Sequence, residues 1–197
     1  MKKIFLSLSI IALAIGAQAQ SVKFGVKAGL VGSNATEKET VGNVTNSVTL
    51  DTKIGFYAGG LMELSVSNQF AIQPELFFTT MGGKLTESGD EFKLDLNYIN
   101  LPVLAKYKFT PAFSVYAGPQ VGFLMTAKAK SGGESVDIKE VFKGVDFSGV
   151  LGVGYTLTSG VGFDARYQVG FANVAKNTGS TVKNNAFAVG IHYFFSK

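Results

Sequence analysis

The 197-residue chain lacks several residues on which common kinds of protein chemistry depend. It has no cysteine, which excludes both a disulfide framework and a thiol nucleophile, and it has no tryptophan. Its single histidine, His192, excludes a zinc site built from several histidines. After the first twenty residues no apolar run is long enough for a transmembrane helix. The composition therefore gives little support to an enzyme, a metal centre or a helical membrane anchor.

The one long apolar run stands at the N-terminus, in MKKIFLSLSIIALAIGAQAQ. Two lysines precede a short apolar core at Ile4–Ile15, and the small-x-small tripeptide Ala-Gln-Ala follows at 17–19. The core is too short to span about 30 Å of hydrocarbon. We therefore predict a secretory signal peptide over residues 1–19 and one mature domain over 20–197. Without the two lysines the formal charge is 16 minus 14, or +2, which gives no support for nucleic-acid binding.

The mature chain is dominated by alternation of apolar and polar residues. In GVGFDARYQVGF at 160–171, apolar side chains fall on one side of an extended strand, and Asp164 and Arg166 fall on the other. Eight such strands are predicted, at residues 22–31, 53–65, 70–80, 93–108, 113–127, 145–157, 161–171 and 185–195.

The connections between these strands alternate in length. Long ones are predicted at 32–52, 81–92, 128–144 and 172–184, and tight turns at 66–69, 109–112 and 158–160. A short helical turn is predicted inside the third long connection, at Ile138–Phe142. An even number of antiparallel strands, with both termini on the short-turn side, is typical of a bacterial outer-membrane barrel.

Aromatic residues sit at two levels along the apolar faces. Near the long connections they are Phe56, Phe78, Tyr98, Phe123, Phe147, Phe171 and Phe187, and near the short turns they are Phe24, Phe70, Tyr107, Phe113, Tyr155, Tyr193 and Phe195. The band between them is mostly aliphatic or small, although Phe163 and Tyr167 interrupt it. Rings favour the headgroup level of a bilayer, so two girdles predict that the apolar face meets lipid. The alternative is a soluble, lipocalin-like carrier with its apolar residues inside.

The opposite face is rich in glycine and polar residues, which suits the narrow interior of an eight-stranded barrel. Three cations and three anions on it match in number: Lys27, Lys106, Arg166, Glu63, Glu75 and Asp164. Buried charges need partners, so we predict that these six residues form an ion network that fills the lumen. The alternative for each charge taken alone is an ordinary solvated side chain.

Three prolines, Pro74, Pro102 and Pro119, fall inside predicted strands. Proline removes a backbone donor and is normally confined to edges or bulges. Because a closed barrel has no edges, we expect a β-bulge at each proline. The alternation also slips between Tyr98 and Ile99, which supports the bulge near Pro102.

The segments around these prolines resemble the porin-like outer-membrane β-barrel domain family, sometimes named after the secretion accessory protein PorT. The similar segments occur in order along the mature chain: GVKAGL at 25–30, IQPELFF at 72–78, NLPVLAKYKF at 100–109, AGPQVGF at 117–123 and ARYQVGFANV at 165–174. The resemblance implies an eight-stranded antiparallel up-and-down transmembrane β-barrel of the OmpA and OmpX type, located in the outer membrane of a Gram-negative bacterium. It implies little about activity.

The end of the chain, GIHYFF at 190–195, resembles the insertion signal that the barrel-assembly machinery recognises. The matching residues are Gly190, Tyr193 and Phe195. This resemblance implies that the machinery inserts the protein. Because both termini fall on the short-turn side of the barrel, we expect them in the periplasm.

No pattern in the sequence points to catalysis. The serines and threonines have no base beside them, and the glycines form no phosphate-binding loop. His192 lies near the C-terminus, away from the outer rim, which favours a structural histidine in the lumen. The charged segments KLTESGDEFK at 84–93 and GGESVDIKEVFKG at 132–144 match no calcium loop. We expect no enzymatic activity, no cofactor and no metal.

The function that we favour is structural or surface-binding, with four long loops in contact with a partner outside and a filled lumen. A narrow channel for ions or small solutes is an alternative that needs a continuous wet path. An accessory role in secretion or outer-membrane assembly is another, and the PorT resemblance implies it. Expected partners are outer-membrane lipid and lipopolysaccharide, the barrel-assembly machinery and an unknown extracellular ligand or protein. We expect a monomer that binds no nucleic acid.

Overall fold

The computed structural model describes residues 21–41, 44–49, 51–87, 90–132, 134–176 and 180–195. Its strands are β1 (Ser21–Val41), β2 (Val44–Thr49), β3 (Asp51–Ser65), β4 (Phe70–Glu87), β5 (Asp90–Lys108), β6 (Phe113–Ser131), β7 (Glu134–Asp137), β8 (Val145–Thr156), β9 (Val161–Gly170) and β10 (Ser180–Phe194). A single 3-10 turn at Lys139–Val141 agrees with the predicted helical turn. In the part of the chain described, no helix is long and apolar enough to cross a membrane. The predicted signal peptide, residues 1–19, lies outside the described residues.

Eight of these strands close into an antiparallel barrel, in the order β1-β3-β4-β5-β6-β8-β9-β10. The barrel is closed by pairing of β10 with β1, from Gly25 opposite Phe194 to Glu39 opposite Ser180. The other two strands are additions at one end, where β2 folds back on β1 and β7 folds back on β6. The predicted eight-stranded antiparallel barrel is confirmed.

Three tight turns close the end of the barrel at which the described chain begins. In the first, the hydroxyl of Ser67 accepts the backbone N–H of Phe70 at 3.0 Å. In the second, the hydroxyl of Thr110 accepts the backbone N–H of Phe113 at 2.9 Å. In the third, Gly160 has φ +90°, a left-handed conformation that glycine adopts without strain. These are the predicted short turns.

At the opposite end the strands run much further than the alternation predicts. β4 and β5 pair as far as Glu87 and Asp90, so most of the connection predicted at 81–92 is a hairpin. β1 likewise continues to Val41, where the sequence predicts a loop over 32–52. In β1 the sequence from Ser33 to Thr40 is polar at nearly every position, so the period-two signal disappears although backbone pairing continues.

The apolar face of the barrel points outward, as predicted. Its phenylalanine rings are between 40% and 64% exposed at Phe24, Phe56, Phe70, Phe113, Phe123, Phe147, Phe171, Phe187 and Phe195. The aliphatic side chains between the two levels are exposed as well, among them Leu76, Val103, Leu151, Val189 and Ile191. An apolar belt of this extent is unfavourable in water and suits a bilayer. The soluble carrier, with its apolar residues inside, does not fit this arrangement.

Tyr98 is an exception, and its predicted place in the aromatic girdle near the long connections, which we call the outer girdle, is wrong. The side chain is 1% exposed and points into the lumen. From Leu94 to Lys106 the even-numbered residues of β5 are buried, so the alternation of β5 does not slip. The extra residue is Met125 in the neighbouring strand β6, because Asn97 and Tyr98 pair with Thr126 and Leu124. The bulge therefore reverses the alternation of β6.

The bulges predicted at the three prolines are also wrong. Each proline has a residue opposite it on the next strand, in pairs Pro74 and Val103, Pro102 and Gln120, and Pro119 and Gly149. The register is the same on both sides of each proline. A proline removes one backbone donor, and here the ladder tolerates that loss without an extra residue.

Candidate functional site

The lumen is the candidate functional site, because the alternation of five strands directs the charged residues into it. The contributors are Lys27 from β1, Glu63 from β3, Glu75 from β4, Lys106 from β5, and Asp164 and Arg166 from β9. Between 1% and 6% of each side chain is exposed. These are the six residues predicted for the ion network.

Arg166 and Glu75 form the centre of the network. Arg166 reaches across the lumen, where its Nη1 and Nη2 donate to Oε2 and Oε1 of Glu75 at 2.8 and 3.0 Å. Two parallel N–H bonds to one carboxylate are among the strongest charge-assisted contacts in proteins. Removing either partner leaves a buried charge without its counter-ion, which typically costs about 3–5 kcal/mol.

Two further charges complete this central cluster. Lys27 Nζ lies 3.2 Å from Glu75 Oε1 and 3.4 Å from Asp164 Oδ2. Asp164 Oδ2 also accepts the Nε–H of Arg166 at 3.3 Å and the hydroxyl of Tyr116 at 2.9 Å. Two cations therefore face two carboxylates, and the cluster is neutral as a whole.

Aromatic rings enclose the guanidinium of Arg166. Its Cζ lies 5.4 Å from the ring centroid of Tyr116, 5.6 Å from that of Phe77 and 5.8 Å from that of Tyr57. Contacts of this kind attract a cation to the face of the ring. Tyr116 fits only because residue 152 is glycine, since a Cβ at Gly152 would lie 2.5 Å from that ring.

A second charged cluster lies nearer the short turns. Glu63 accepts hydrogen bonds from Lys106 Nζ at 2.7 Å and from Lys108 Nζ at 2.5 Å. Gln73 links the two clusters, since its Oε1 accepts from Lys106 at 3.1 Å and its Nε2 donates to Glu75 at 2.6 Å. All six predicted residues therefore belong to one connected set of contacts. Lys108 was missed, although the alternation of β5 beyond Lys106 points to it.

His192 meets the charged clusters from β10. Its Nε2 lies 3.0 Å from the hydroxyl of Thr156, and its Nδ1 lies 3.9 Å from Oδ1 of Asp164. The ring packs edge-to-face on Phe194, with the centroids 5.4 Å apart. These are the surroundings of a packed side chain inside the lumen, near the short turns.

Above the charged clusters, towards the long connections, amide and hydroxyl side chains form a polar belt. Asn100 Nδ2 donates to the hydroxyl of Thr79 at 3.0 Å, and Gln120 Nε2 donates to Asn100 Oδ1 at 3.3 Å. Asn184 Nδ2 donates to Asp146 Oδ2 at 3.1 Å from the other wall. Sequence reasoning missed most of this belt, since amides on alternating positions carry no distinctive motif.

On the side of the long connections the lumen ends in an apolar cap, which is continuous with the rings of Tyr57 and Phe77 around Arg166. Leu96 and Ala127 in it are 0% exposed. The cap consists of Val31, Tyr57, Phe77, Met81, Leu94, Leu96, Tyr98, Leu124, Ala127, Phe142, Val174, Ala175, Val182, Ala186 and Ala188. Leu94 and Leu96 lie within the strand predicted at 93–108, but the slip predicted between Tyr98 and Ile99 assigns them to the outward face.

Two stretches of the long connections, residues 138–144 and 171–176, fold over this apolar cap, and we call them the lid. Phe142 and Val174 turn inward from the lid and are buried. Phe142 and Ala175 pair as an isolated β-bridge, which backbone hydrogen bonds of 2.7 and 3.0 Å reinforce on either side. The lid therefore packs onto the apolar cap at this end of the barrel.

The three residues of the predicted assembly signal lie at the end of β10. Gly190 faces the lumen, where a Cβ would lie 2.2 Å from the hydroxyl oxygen of Tyr57. Tyr193 and Phe195 point outward, with their rings edge-to-face at 5.7 Å. Two exposed rings side by side suit contact with lipid or with another protein, and their role in assembly stays a prediction.

Beyond the outer girdle, one carboxylate holds two lysines together. Asp95 comes four residues before Ile99 in β5, on the side of the long connections. Its oxygens are 2.5 Å from Lys53 Nζ and 2.7 Å from Lys130 Nζ. Burial raises the pKa of Asp95, but the hydrogen bonds from Lys130 and Lys53 outweigh it and hold that pKa below its usual value. Among the side chains described, no group of three or more histidine, aspartate or glutamate residues is placed to hold a metal ion.

Comparison with known proteins agrees with this architecture. A family model described as an outer membrane protein beta-barrel domain matches residues 18–176. A search of curated proteins finds no match. Among solved structures, neisserial surface protein A (NspA) is similar with a TM-score of 0.53 and 17% identity, over 88% of this chain and 99% of that one.

Two other solved structures are similar at lower TM-scores. The attachment invasion locus protein Ail of Yersinia pestis has a TM-score of 0.49 and 19% identity, over 89% of this chain and all of that one (100%). OprG from Pseudomonas aeruginosa has a TM-score of 0.47 and 12% identity, over 91% and 98%. Because the family model covers residues 18–176, the chain belongs to the outer membrane protein beta-barrel domain family, and its place is the outer membrane.

Proposed function

We propose that this protein is a sealed barrel with a structural or surface-binding role, and that it acts through its long connections rather than through its lumen. The observation that carries the proposal is the way the lumen is filled. Charged clusters occupy the half near the short turns, the polar belt lies above them, and the lid packs onto the apolar cap at the other end.

The contacts across the lumen support sealing because they join opposite walls. Arg166 and Glu75 are 91 residues apart in sequence and meet across the barrel. Their charges are satisfied by one another and by Lys27 and Asp164, so no counter-ion from solution is required. A channel for ions or small solutes would need a wet path past these residues and past the lid.

The asymmetry of the two ends supports an orientation with the long connections outside and both termini in the periplasm. The tight turns end close to the barrel, whereas the hairpins and the lid extend well beyond the outer girdle. The predicted signal peptide fits export across the inner membrane. Insertion through Gly190, Tyr193 and Phe195 and a monomeric state are parts of the same proposal.

Single-cysteine labelling in intact cells tests this orientation. The chain has no cysteine, so Ser135→Cys in β7 and Ser159→Cys in a short turn each create one target, and both positions are exposed. A membrane-impermeant maleimide should label Ser135→Cys in whole cells, and should label Ser159→Cys only after the outer membrane is permeabilised. The reverse pattern would contradict the proposal, as would recovery of the protein outside the outer-membrane fraction.

A second candidate is an accessory role in secretion or assembly, in which a partner complex supplies the activity. It is supported by the segments that resemble the PorT-type family. Crosslinking in cells, followed by purification of the intact barrel, tests it against a variant that lacks residues 134–142. Loss of a stoichiometric partner on removal of that segment would favour this role, and an unchanged set of partners would count against it.

A further inference from the structure

Four lysines stand together on the outward face of the extended hairpins, beyond the outer girdle. They are Lys84 on β4, Lys93 on β5, and Lys128 and Lys130 on β6, and we call this surface the lysine face. Lys84 lies directly opposite Lys93, and Lys93 lies directly opposite Lys130. Like charges directly opposite one another destabilise a sheet. A face built in this way favours an anionic ligand.

The carboxylates near this face leave part of its charge unmatched. Asp95 lies opposite Lys128, but its oxygens bind Lys53 and Lys130. Asp137 also lies opposite Lys128, and its Oδ1 accepts the backbone N–H of Lys139 at 2.9 Å. Within the described part of the chain no carboxylate forms an ion pair with Lys128.

Three of the four lysines have partners of their own, and Asp51 flanks the row. Lys84 and Lys93 have contacts of their own, and Asp51 lies opposite Lys84 on β3. Lys130 shares Asp95 with Lys53, so one carboxylate faces two ammonium groups and neutralises them only in part. The positive charge available to a ligand therefore comes chiefly from Lys128 and in part from Lys130, which are both exposed.

The height of the lysine face matches the headgroup region of the outer leaflet. On β6 the last apolar side chains that point outward are Phe123 and Met125, which are 41% and 49% exposed. Lys128 follows Met125 by three residues, or about 10 Å along a strand. Lysine side chains extend along a surface to bring their ammonium groups to the polar layer.

The lysine face stands on one wall, and the other lysines beyond the outer girdle are spread over β1, β3, the lid and β10. In the described parts of β8, β9 and β10, Lys183 is the single lysine beyond the outer girdle. A basic patch on one side, at headgroup depth, fits an oriented contact with lipid rather than a uniform solubilising surface.

We infer that the lysine face binds the phosphate groups of the outer-leaflet glycolipid, and that Lys128 and Lys130 make the main contacts. The lysine face lies outside the cell only in the proposed orientation, so this inference rests on the proposed function. Phosphate is the shared chemistry of a lipid headgroup and a free anion, and we assign it to the lipid because of the depth of Lys128.

Binding of bisphosphorylated lipid A to the purified barrel in detergent micelles, followed by native mass spectrometry, tests this inference. Lys128→Gln/Lys130→Gln should weaken binding at least about tenfold, because each lysine near an anionic surface contributes on the order of fivefold. The matched control, Lys139→Gln/Lys183→Gln, removes the same charge from elsewhere on that end of the protein. It should change binding by less than about twofold.

Further measurements identify the source of the phosphate and check that each variant is folded. Lipid A without phosphate should bind at least about tenfold more weakly, and inorganic phosphate at matched ionic strength should not displace lipid A. Lys128→Arg/Lys130→Arg should keep binding, and all variants should keep the heat-dependent gel mobility of a folded barrel. Equal loss in the two double variants, equal binding of both lipids, or displacement by free phosphate would overturn the inference. None of these measurements depends on orientation in the cell, which the cysteine labelling tests separately.

Discussion

The two halves of the lumen are filled by opposite chemistry. Near the short turns, Arg166, Glu75 and their partners form a neutral set of buried charges, whereas near the long connections the cap is almost wholly apolar. A buried charge depends on one or two specific partners, and its loss leaves the partner unsatisfied. An apolar cap depends on the sum of many small contacts. A single substitution in the charged half should therefore lower the stability of the whole barrel. A single substitution in the capped half should loosen only the structure around it.

The largest expected effect is from Arg166→Ala in the charged half. It leaves Glu75 without its bidentate partner inside the barrel, so the free energy of unfolding should fall by about 3–5 kcal/mol. Urea unfolding of the refolded barrel, followed by circular dichroism, measures this change. A loss of about 1 kcal/mol or less would mean that the charges are not buried as a network.

A paired variant serves as the control for that measurement. Glu75→Gln/Arg166→Gln removes one charge of each sign and leaves Lys27 and Asp164 facing each other at 3.4 Å. Because no charge is then left alone, the double variant should be more stable than Arg166→Ala. If the double variant is the less stable of the two, pairing is not what holds this half together.

A smaller and more local effect is expected from Phe142→Ala in the lid. Its ring is 9% exposed and packs into the apolar cap, so the change should cost about 3 kcal/mol or less and should loosen the lid while the barrel persists. Limited trypsin digestion should then cleave after Lys139 or Lys143 faster than in the native protein.

Val141→Ala is the matched control, because Val141 is in the same lid and is 49% exposed. It should change stability by less than about 0.5 kcal/mol and leave the cleavage rate unchanged. Equal cleavage of the two variants would show that the ring of Phe142 does not fasten the lid.

The smallest effect is expected from Asp95, outside both halves. Its pKa is held below the usual value by Lys130 and Lys53, so its contribution is fully present above the unfolded pKa of about 3.9. That contribution is lost as the pH falls through the folded pKa. Asp95→Asn should therefore be less stable than the native protein at pH 7, by under about 1 kcal/mol, and the difference should shrink below about pH 4. A difference that grows in acid would contradict the assigned ion pairs.

The alternation of residues is sufficient to predict the barrel and the direction in which most side chains point. It does not predict that Tyr98 faces the lumen, because the bulge beside Tyr98 is at Met125 on the adjacent strand. A bulge is a property of two strands together, and a single strand carries no complete signal for it. The prolines mislead for a related reason, since a ladder can lose one donor and keep its register.

The six charged residues of the lumen could be chosen from the sequence because they share the inward face. Their pairing could not be predicted, since the contact between Arg166 and Glu75 depends on how the barrel closes across its lumen. The lid was not predicted either, because Phe142 and Ala175 come together only when two distant connections meet. Local patterns predict which way a residue faces, and the stagger of the strands decides what it meets.

Electrical recording of the refolded protein in planar lipid bilayers tests the sealed lumen most directly. With the charged clusters and the lid intact, the native barrel should insert and show no stable unit conductance. The variant Phe142→Ala/Glu75→Gln/Arg166→Gln weakens both halves of the lumen. It is recorded in parallel, so that any current through a loosened lumen can be compared with the native trace. Stable, reproducible conductance steps from the native protein would contradict the sealed lumen and would support the channel instead.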